Sequence, residues 1–186
     1  MRGRIFAPRV GNGQYARRRV RLRPGTAAAY TRGVHRLLPL RRVLDASSDP
    51  DNPSAEELDE FLHRARRIAV IGLSRDPEKA ARRVPSYLAA KGYEIIPVNP
   101  HAERILGRDS YPDVTIVPGK LDAVIVFRPS EVAGDFVKDI MARPDRPAIW
   151  LQEGIRADEE IAEARAQGTL AVQDLCAYKV HRALQM

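Results

Sequence analysis

Residue types able to do chemistry gather in four short stretches, each closing an apolar run: Gly72-Leu73-Ser74-Arg75, Val98-Asn99-Pro100-His101, Phe127-Arg128-Pro129 and Gln152-Glu153-Gly154. A glycine directly after a buried strand lets the backbone come close to a ligand. N–H groups opening the helix that follows then offer partial positive charge to a phosphate. Such strand ends suit a nucleotide-like ligand. NAD fits them poorly: Gly72 is followed by Leu73, Ser74, Arg75, Asp76 and Pro77, so the three-glycine fingerprint is absent. The acid expected after the second strand, to hold a ribose hydroxyl, is replaced by Asn99-Pro100. His101 and Arg104, with Lys79, Arg82 and Arg83 on the preceding helix, place basic groups there instead. A ribose carrying an extra phosphate suits that rim, and both NADP and coenzyme A have one.

Other chemistries find less support. Cys176 is the single cysteine, so there is no internal disulfide, and no Cys/His set has zinc spacing. A reactive thiol needs a neighbouring cation or base and access; Lys179 and His181 are near in sequence, but a small buried thiol is the commoner arrangement. His63 and His181 are expected on helical surfaces without companion ligands. No spacing suggests a Ser-His-Asp set or a paired-carboxylate site.

The elements that must position these residues alternate. Ser54-Ala-Glu-Glu57 is a capping box, and Leu58, Phe61, Leu62 and Ala65 continue it at helical spacing. Ile68–Gly72 is a first strand. Asp76-Pro77 is read as an N-cap and first helical residue, for a helix ending at Gly92. Tyr93–Val98, Leu121–Phe127, Ala148–Gln152 and Thr169–Gln173 are the remaining strands. A loop or short helix over 101–107, irregular chain over 109–119, helices opening near Ser130 and Asp158, and a closing helix through Val180 and Leu184 complete the pattern. This predicts an α/β, Rossmann-like, doubly wound parallel five-stranded sheet with helices on both faces and right-handed crossovers.

Charge divides the chain differently. Residues 1–50 hold twelve arginines against Asp45 and Asp49, a balance of +10, so the remainder stands at −3 within a total of +7. Residues 1–52 show no sustained period and are read as a basic extension, disordered in isolation, ahead of a domain over 53–186. Three roles compete for it: an uninformative extension, an arm for nucleic acid or an acidic surface, and a transit segment poor in acids but lacking serine. No apolar run approaches the ~20 residues of a membrane span. Cysteine usage fits a reducing, cytoplasmic setting, and oligomeric state stays open.

Gly72-Leu-Ser74, Gly92-Tyr93, Pro97-Val-Asn-Pro100, Ile105-Leu-Gly107, Tyr111-Pro112, Val126-Phe-Arg-Pro129, Trp150-Leu-Gln-Glu-Gly-Ile155 and Asp174-x-Cys176 resemble the small stand-alone CoA-binding proteins. These are similar to the N-terminal domain of the succinyl-CoA synthetase alpha subunit. The resemblance spans about residues 54–184. It implies coenzyme A or an acyl-CoA lying across the strand ends. Gly72, Leu73 and Ser74 would approach the diphosphate, and Val98, Asn99 and Pro100 the adenosine. Phe127, Arg128 and Pro129 would wall the adenine and pantetheine side, with Gln152, Glu153 and Gly154 near the pantetheine arm. The synthetase's phosphorylated histidine has no match here, His181 included, so the expected role is binding without ligation, as a carrier, sensor or regulator. An NADP-dependent redox enzyme and a degenerate acyl-CoA ligase subunit are the rivals.

Overall fold

Alternating apolar runs and helical periods become, in the computed structural model, a single parallel sheet wrapped on both faces; residues 26–185 are described. In chain order come β1 (Arg67–Ile71), β2 (Glu94–Val98), a two-residue hairpin of β3 (Arg104–Ile105) and β4 (Arg108–Asp109), β5 (Ala123–Val126), β6 (Ala148–Leu151) and β7 (Ala171–Val172). The helices are α1 (Thr26–Asp45), α2 (Ala55–Arg64), α3 (Ala80–Ala90), α4 (Ser130–Met141), α5 (Asp158–Ala166) and α6 (Ala177–Ala183). The main sheet runs β2-β1-β5-β6-β7 with every pairing parallel. Strand order therefore reverses between β1 and β5, the switch point where open sheets of this type leave a crevice.

Alternation along each strand builds two cores. Ile68 and Val70 of β1 join Leu58 and Leu62 of α2, Val84 and Leu88 of α3, and Val180 of α6. Ala69 and Ile71, pointing the other way, join Val137 and Ile140 of α4 and Ile161 of α5. The capping box forms as the sequence predicts: the Ser54 hydroxyl accepts from Glu57 N–H, and the Glu57 side chain accepts from Ser54 N–H.

Two local expectations are corrected. Asp76 does not cap α3. Its carboxylate accepts from Glu78 N–H at 3.0 Å, closing a turn, and the helix starts later, at Ala80. Residues 104–109 form a hairpin rather than a loop or helix, with Leu106 and Gly107 both at positive φ between its strands.

Part of the stretch expected to be an extension, through residue 52, packs on the domain. Residues 1–25 lie outside the described residues, and with them eight of the twelve arginines. From Thr26 the chain is helical, and Leu37 and Leu40 are buried in the first core, with Leu44 packed against it. Their spacing of three and four is a helical stripe that the surrounding arginines obscure. Arg36 pairs with Asp59, and Arg41 with Glu56 at 2.6 Å, so these cations are answered by α2.

Residues 47–52 are stitched to the far end of the domain. Ser47 Oγ donates to the Asp174 carbonyl at 3.1 Å. The Asn52 side chain donates to Gln173 O at 2.9 Å and accepts from Gln173 N–H at 3.0 Å, as a neighbouring strand would beyond β7. Burial works to raise the Asp49 carboxyl, but the Arg165 guanidinium at 2.8 Å and the Asp51 N–H outweigh it and hold the group below its ordinary range. Among the described residues no helix is long and apolar enough to cross a membrane.

Candidate functional site

At the switch point β1 ends in Gly72, whose φ of +79° is a left-handed conformation open to glycine at little cost. Gly72 N–H donates to Val98 O at 3.0 Å, and Phe127 N–H donates to Ile71 O at 2.9 Å. The ends of β2, β1 and β5 are thus tied edge to edge. A Cβ on Gly72 would stand 3.0 Å from Arg128 Cδ and 3.2 Å from the Phe127 carbonyl oxygen. Absence of a side chain is what lets the two loops meet.

Beside this junction lies a cleft of about 110 Å³. Gly72, Val98, Asn99, Pro100, His101 and Arg128 all line it, so the structure brings together six of the residues singled out in the sequence. Asn99 acts as a brace. Its Nδ2 donates to Leu73 O at 3.0 Å, and its Oδ1 accepts from His101 N–H at 2.9 Å, linking the loop after β1 to the loop after β2.

Other singled-out residues sit elsewhere. The Leu73 side chain is fully buried, leaving only its backbone to face a ligand. Ser74 Oγ accepts from Asp76 N–H at 3.1 Å, and Arg75 and Pro129 are exposed. Phe127 packs, half-buried, against the first core. Arg104 is on the hairpin, where it pairs with Asp109 at 3.3 Å and donates to Gly107 O at 2.9 Å. It does not line the cleft, so the expected basic rim is reduced there to His101 and Arg128.

Gln152, at the end of β6, is only 4 % exposed. Its Oε1 accepts a long bond, 3.4 Å, from Ala177 N–H, and its Nε2 has no partner among the described residues. A buried donor left unpaired costs about 1–3 kcal/mol. Glu153 pairs with Lys179 at 2.6 Å, and Gly154 N–H donates to Asp174 Oδ1 at 2.7 Å. Glu153 and Cys176 line a separate depression of about 220 Å³, which Arg42 and Ser47 of the N-terminal segment also border. His181 is not on a helical surface. It is 2 % exposed, with Nδ1 3.0 Å from the Tyr87 hydroxyl. Burial, with lesser contributions from Lys91 and His63, pushes it below the ordinary histidine range. Trp150 is core, as expected, donating to Leu175 O at 2.7 Å.

Sequence reasoning missed the opposite wall of the cleft. Asp113 and Val114 border it from the loop before β5, and Phe136 and Asp139 from α4. Asp113 follows the Tyr111-Pro112 pair, and Asp139 stands three positions after Phe136, flanking an apolar stripe; those were the available signals. Arg143 fixes this wall. Only 6 % exposed, it donates to Val114 O at 2.6 Å, Val117 O at 3.0 Å and Gly119 O at 3.0 Å, and pairs with both oxygens of Asp145 at 2.9 Å.

Comparisons with known proteins agree with this architecture. Residues 66–182 match a family described as CoA binding domain. The uncharacterized protein YneT of Bacillus subtilis (strain 168) is 35 % identical over 130 residues, which are 70 % of this chain and 96 % of YneT. A hypothetical protein from Pyrococcus horikoshii OT3, of known structure, superposes with a TM-score of 0.69 at 30 % identity, covering 75 % of this chain and 98 % of that one. An ADP-forming acetate–CoA ligase II of Archaeoglobus fulgidus is 27 % identical over 101 residues. That match spans 53 % of this chain but 15 % of the ligase.

Proposed function

Since the chain belongs to the CoA binding domain family, we propose that it binds coenzyme A or an acyl-CoA across the carboxyl ends of its parallel strands, and does so without catalysis. The observation that carries this reading is the cleft at the β1/β5 switch point, where Gly72 meets Phe127 and Arg128. Its volume of about 110 Å³ is below the ~150 Å³ of a cavity that accepts benzene, so it takes the edge of a base, with the rest of the ligand lying outside.

Each part of such a ligand has a chemical counterpart in the chain. Adenosine would enter the cleft against Val98, Asn99 and Pro100. The diphosphate would meet the loop after β1. There the N–H groups of Leu73 and Arg75 make no hydrogen bond among the described residues, and α3 itself begins too late to take the phosphate directly. His101 and Arg128 would face the 3′-phosphate, and Lys79 at the start of α3 and Arg83 on it are exposed as well. Gln152 Nε2 is unpaired but closed off from the surface, so the pantetheine arm would run past the exposed Glu153 and Gly154 instead. The ligase relative is matched over 15 % of its length, and its activity is not carried over.

Thermal-shift titrations test the reading. A ligand at a hundred times its Kd stabilises the folded state by about 2.7 kcal/mol, so coenzyme A should raise Tm clearly, dephospho-CoA less and NAD least. No shift with coenzyme A at millimolar concentration refutes the reading, whereas equal shifts for coenzyme A and dephospho-CoA refute recognition of the 3′-phosphate.

A further inference from the structure

Within the cleft, the two walls differ in charge. Gly72, His101 and Arg128 form one, backbone-lined and basic; Asp113 and Asp139 stand on the other, beside Phe136. Asp113 Oδ1 accepts from Thr115 N–H at 2.6 Å. Asp139 is half-buried, and among the described residues it has no hydrogen-bond donor and no cation. Burial raises its carboxyl above the ordinary range, and the charges of Asp113 and Asp135 raise it further. A half-buried acceptor that no protein donor occupies, lining a cleft, is open to an N–H that a ligand brings.

The same pair of carboxylates repels phosphate, because like charges brought into one cleft are unfavourable. A ligand with an anionic end and a neutral, amino-bearing ring therefore has one orientation here: phosphates toward His101 and Arg128, ring edge toward Asp139. Resting on the reading of the cleft as an adenosine site, we propose that Asp139 selects the base, its carboxylate accepting a hydrogen bond from the exocyclic amino group of adenine, while Asp113 keeps phosphate off that wall. With the carboxylate on the N7 side of the amino group, away from the N1–H that a 6-oxo purine carries, such a base presents only acceptors, and the bond is lost and repulsion gained.

Isothermal titration of the full chain with coenzyme A and with its hypoxanthine counterpart, in which an oxo group replaces the amino group, tests this. Wild type should favour coenzyme A by roughly tenfold or more, the scale of one charge-assisted hydrogen bond. In Asp139→Asn the two affinities should come within about threefold, because an amide offers either a donor or an acceptor. Asp139→Ala should erase the preference by a second route, with thermal melts confirming that both variants fold. Tight, equal binding of the two ligands by wild type overturns the selection while leaving coenzyme A binding intact. So does an unchanged preference in both variants. Failure of wild type to bind coenzyme A overturns both.

Discussion

Replacing Gly72 with alanine puts the switch-point geometry to a direct test. The residue sits at φ +79°, where an L side chain costs about 1–2 kcal/mol. The added Cβ also comes 3.2 Å from the Phe127 carbonyl oxygen and 3.0 Å from Arg128 Cδ. Arg128 has room to swing, but the Phe127 oxygen belongs to the chain leaving β5, so crowding brings the total to about 2–3 kcal/mol. At about 2–4 °C per kcal/mol for a chain of this size, Tm should fall by about 4–12 °C. Coenzyme A affinity should fall at least about tenfold, since displacing Arg128 or the Leu73–Arg75 loop removes a hydrogen bond to a charged group, worth about 1.5–3 kcal/mol. Gly92→Ala is the matched control. That glycine has φ +94°, yet a Cβ there would meet nothing within 4 Å. It should lose about 1–2 kcal/mol of stability and none of the affinity. Differential scanning calorimetry and isothermal titration on both variants decide the matter. Equal affinities in Gly72→Ala and Gly92→Ala would refute the claim that the close approach at Gly72 builds the site.

Three further outcomes are expected. Arg143→Ala leaves part-buried Asp145 with the Leu121 N–H but without its cation, and frees three carbonyls, so urea denaturation should show a loss of about 3–5 kcal/mol, with weaker coenzyme A binding as the 114–119 wall loosens; a loss under 1 kcal/mol contradicts the bracing role. Leu40→Ala should cost about 2–5 kcal/mol if α1 is part of the core, and unchanged stability would mean the helix is dispensable. His181 binds its proton less readily folded than unfolded, so its contribution is full above the ordinary histidine range and is lost as pH falls through that range toward the lowered folded value. His181→Gln should flatten stability against pH between about 7 and 5, and identical slopes in the two proteins refute this.

Much of the architecture was legible because parallel strands buried on both faces must be continuous apolar runs, as Ile68–Ile71 and Ala123–Val126 are. Punctuation was legible too: Ser54 with Glu57 opened a helix as the capping rule requires. What failed was context. Asp76 followed by Pro77 is a good start signal, but Asp76 spends its carboxylate on the turn at Glu78. Leu37, Leu40 and Leu44 gave a helical stripe that reads as noise among arginines until Asp59 and Glu56 are seen opposite. Strand ends located six cleft residues, because in an open parallel sheet topology alone brings those ends together. The far wall came from a loop and a helix face, where Asp113 and Asp139 look like solvated surface charges until the tertiary fold sets them beside one cleft, Asp139 half-buried and Asp113 still exposed. Arg104 failed for the converse reason: proximity in sequence to the second strand said nothing of its tie to Asp109.

The Asn52 side chain occupies the hydrogen-bonding groups of Gln173, 121 positions away, and Asp49 meets Arg165 across 116. The outer border of the sheet is therefore closed at Gln173 by a segment made more than a hundred residues before its mates. Closing so long a loop is entropically slow to initiate, and until it closes the two-residue β7 exposes a ladder that another chain is free to pair with. Nascent molecules stalled before residue 173 lack this closure altogether, which makes the emergence of that residue the step that commits the segment to pairing within its own chain.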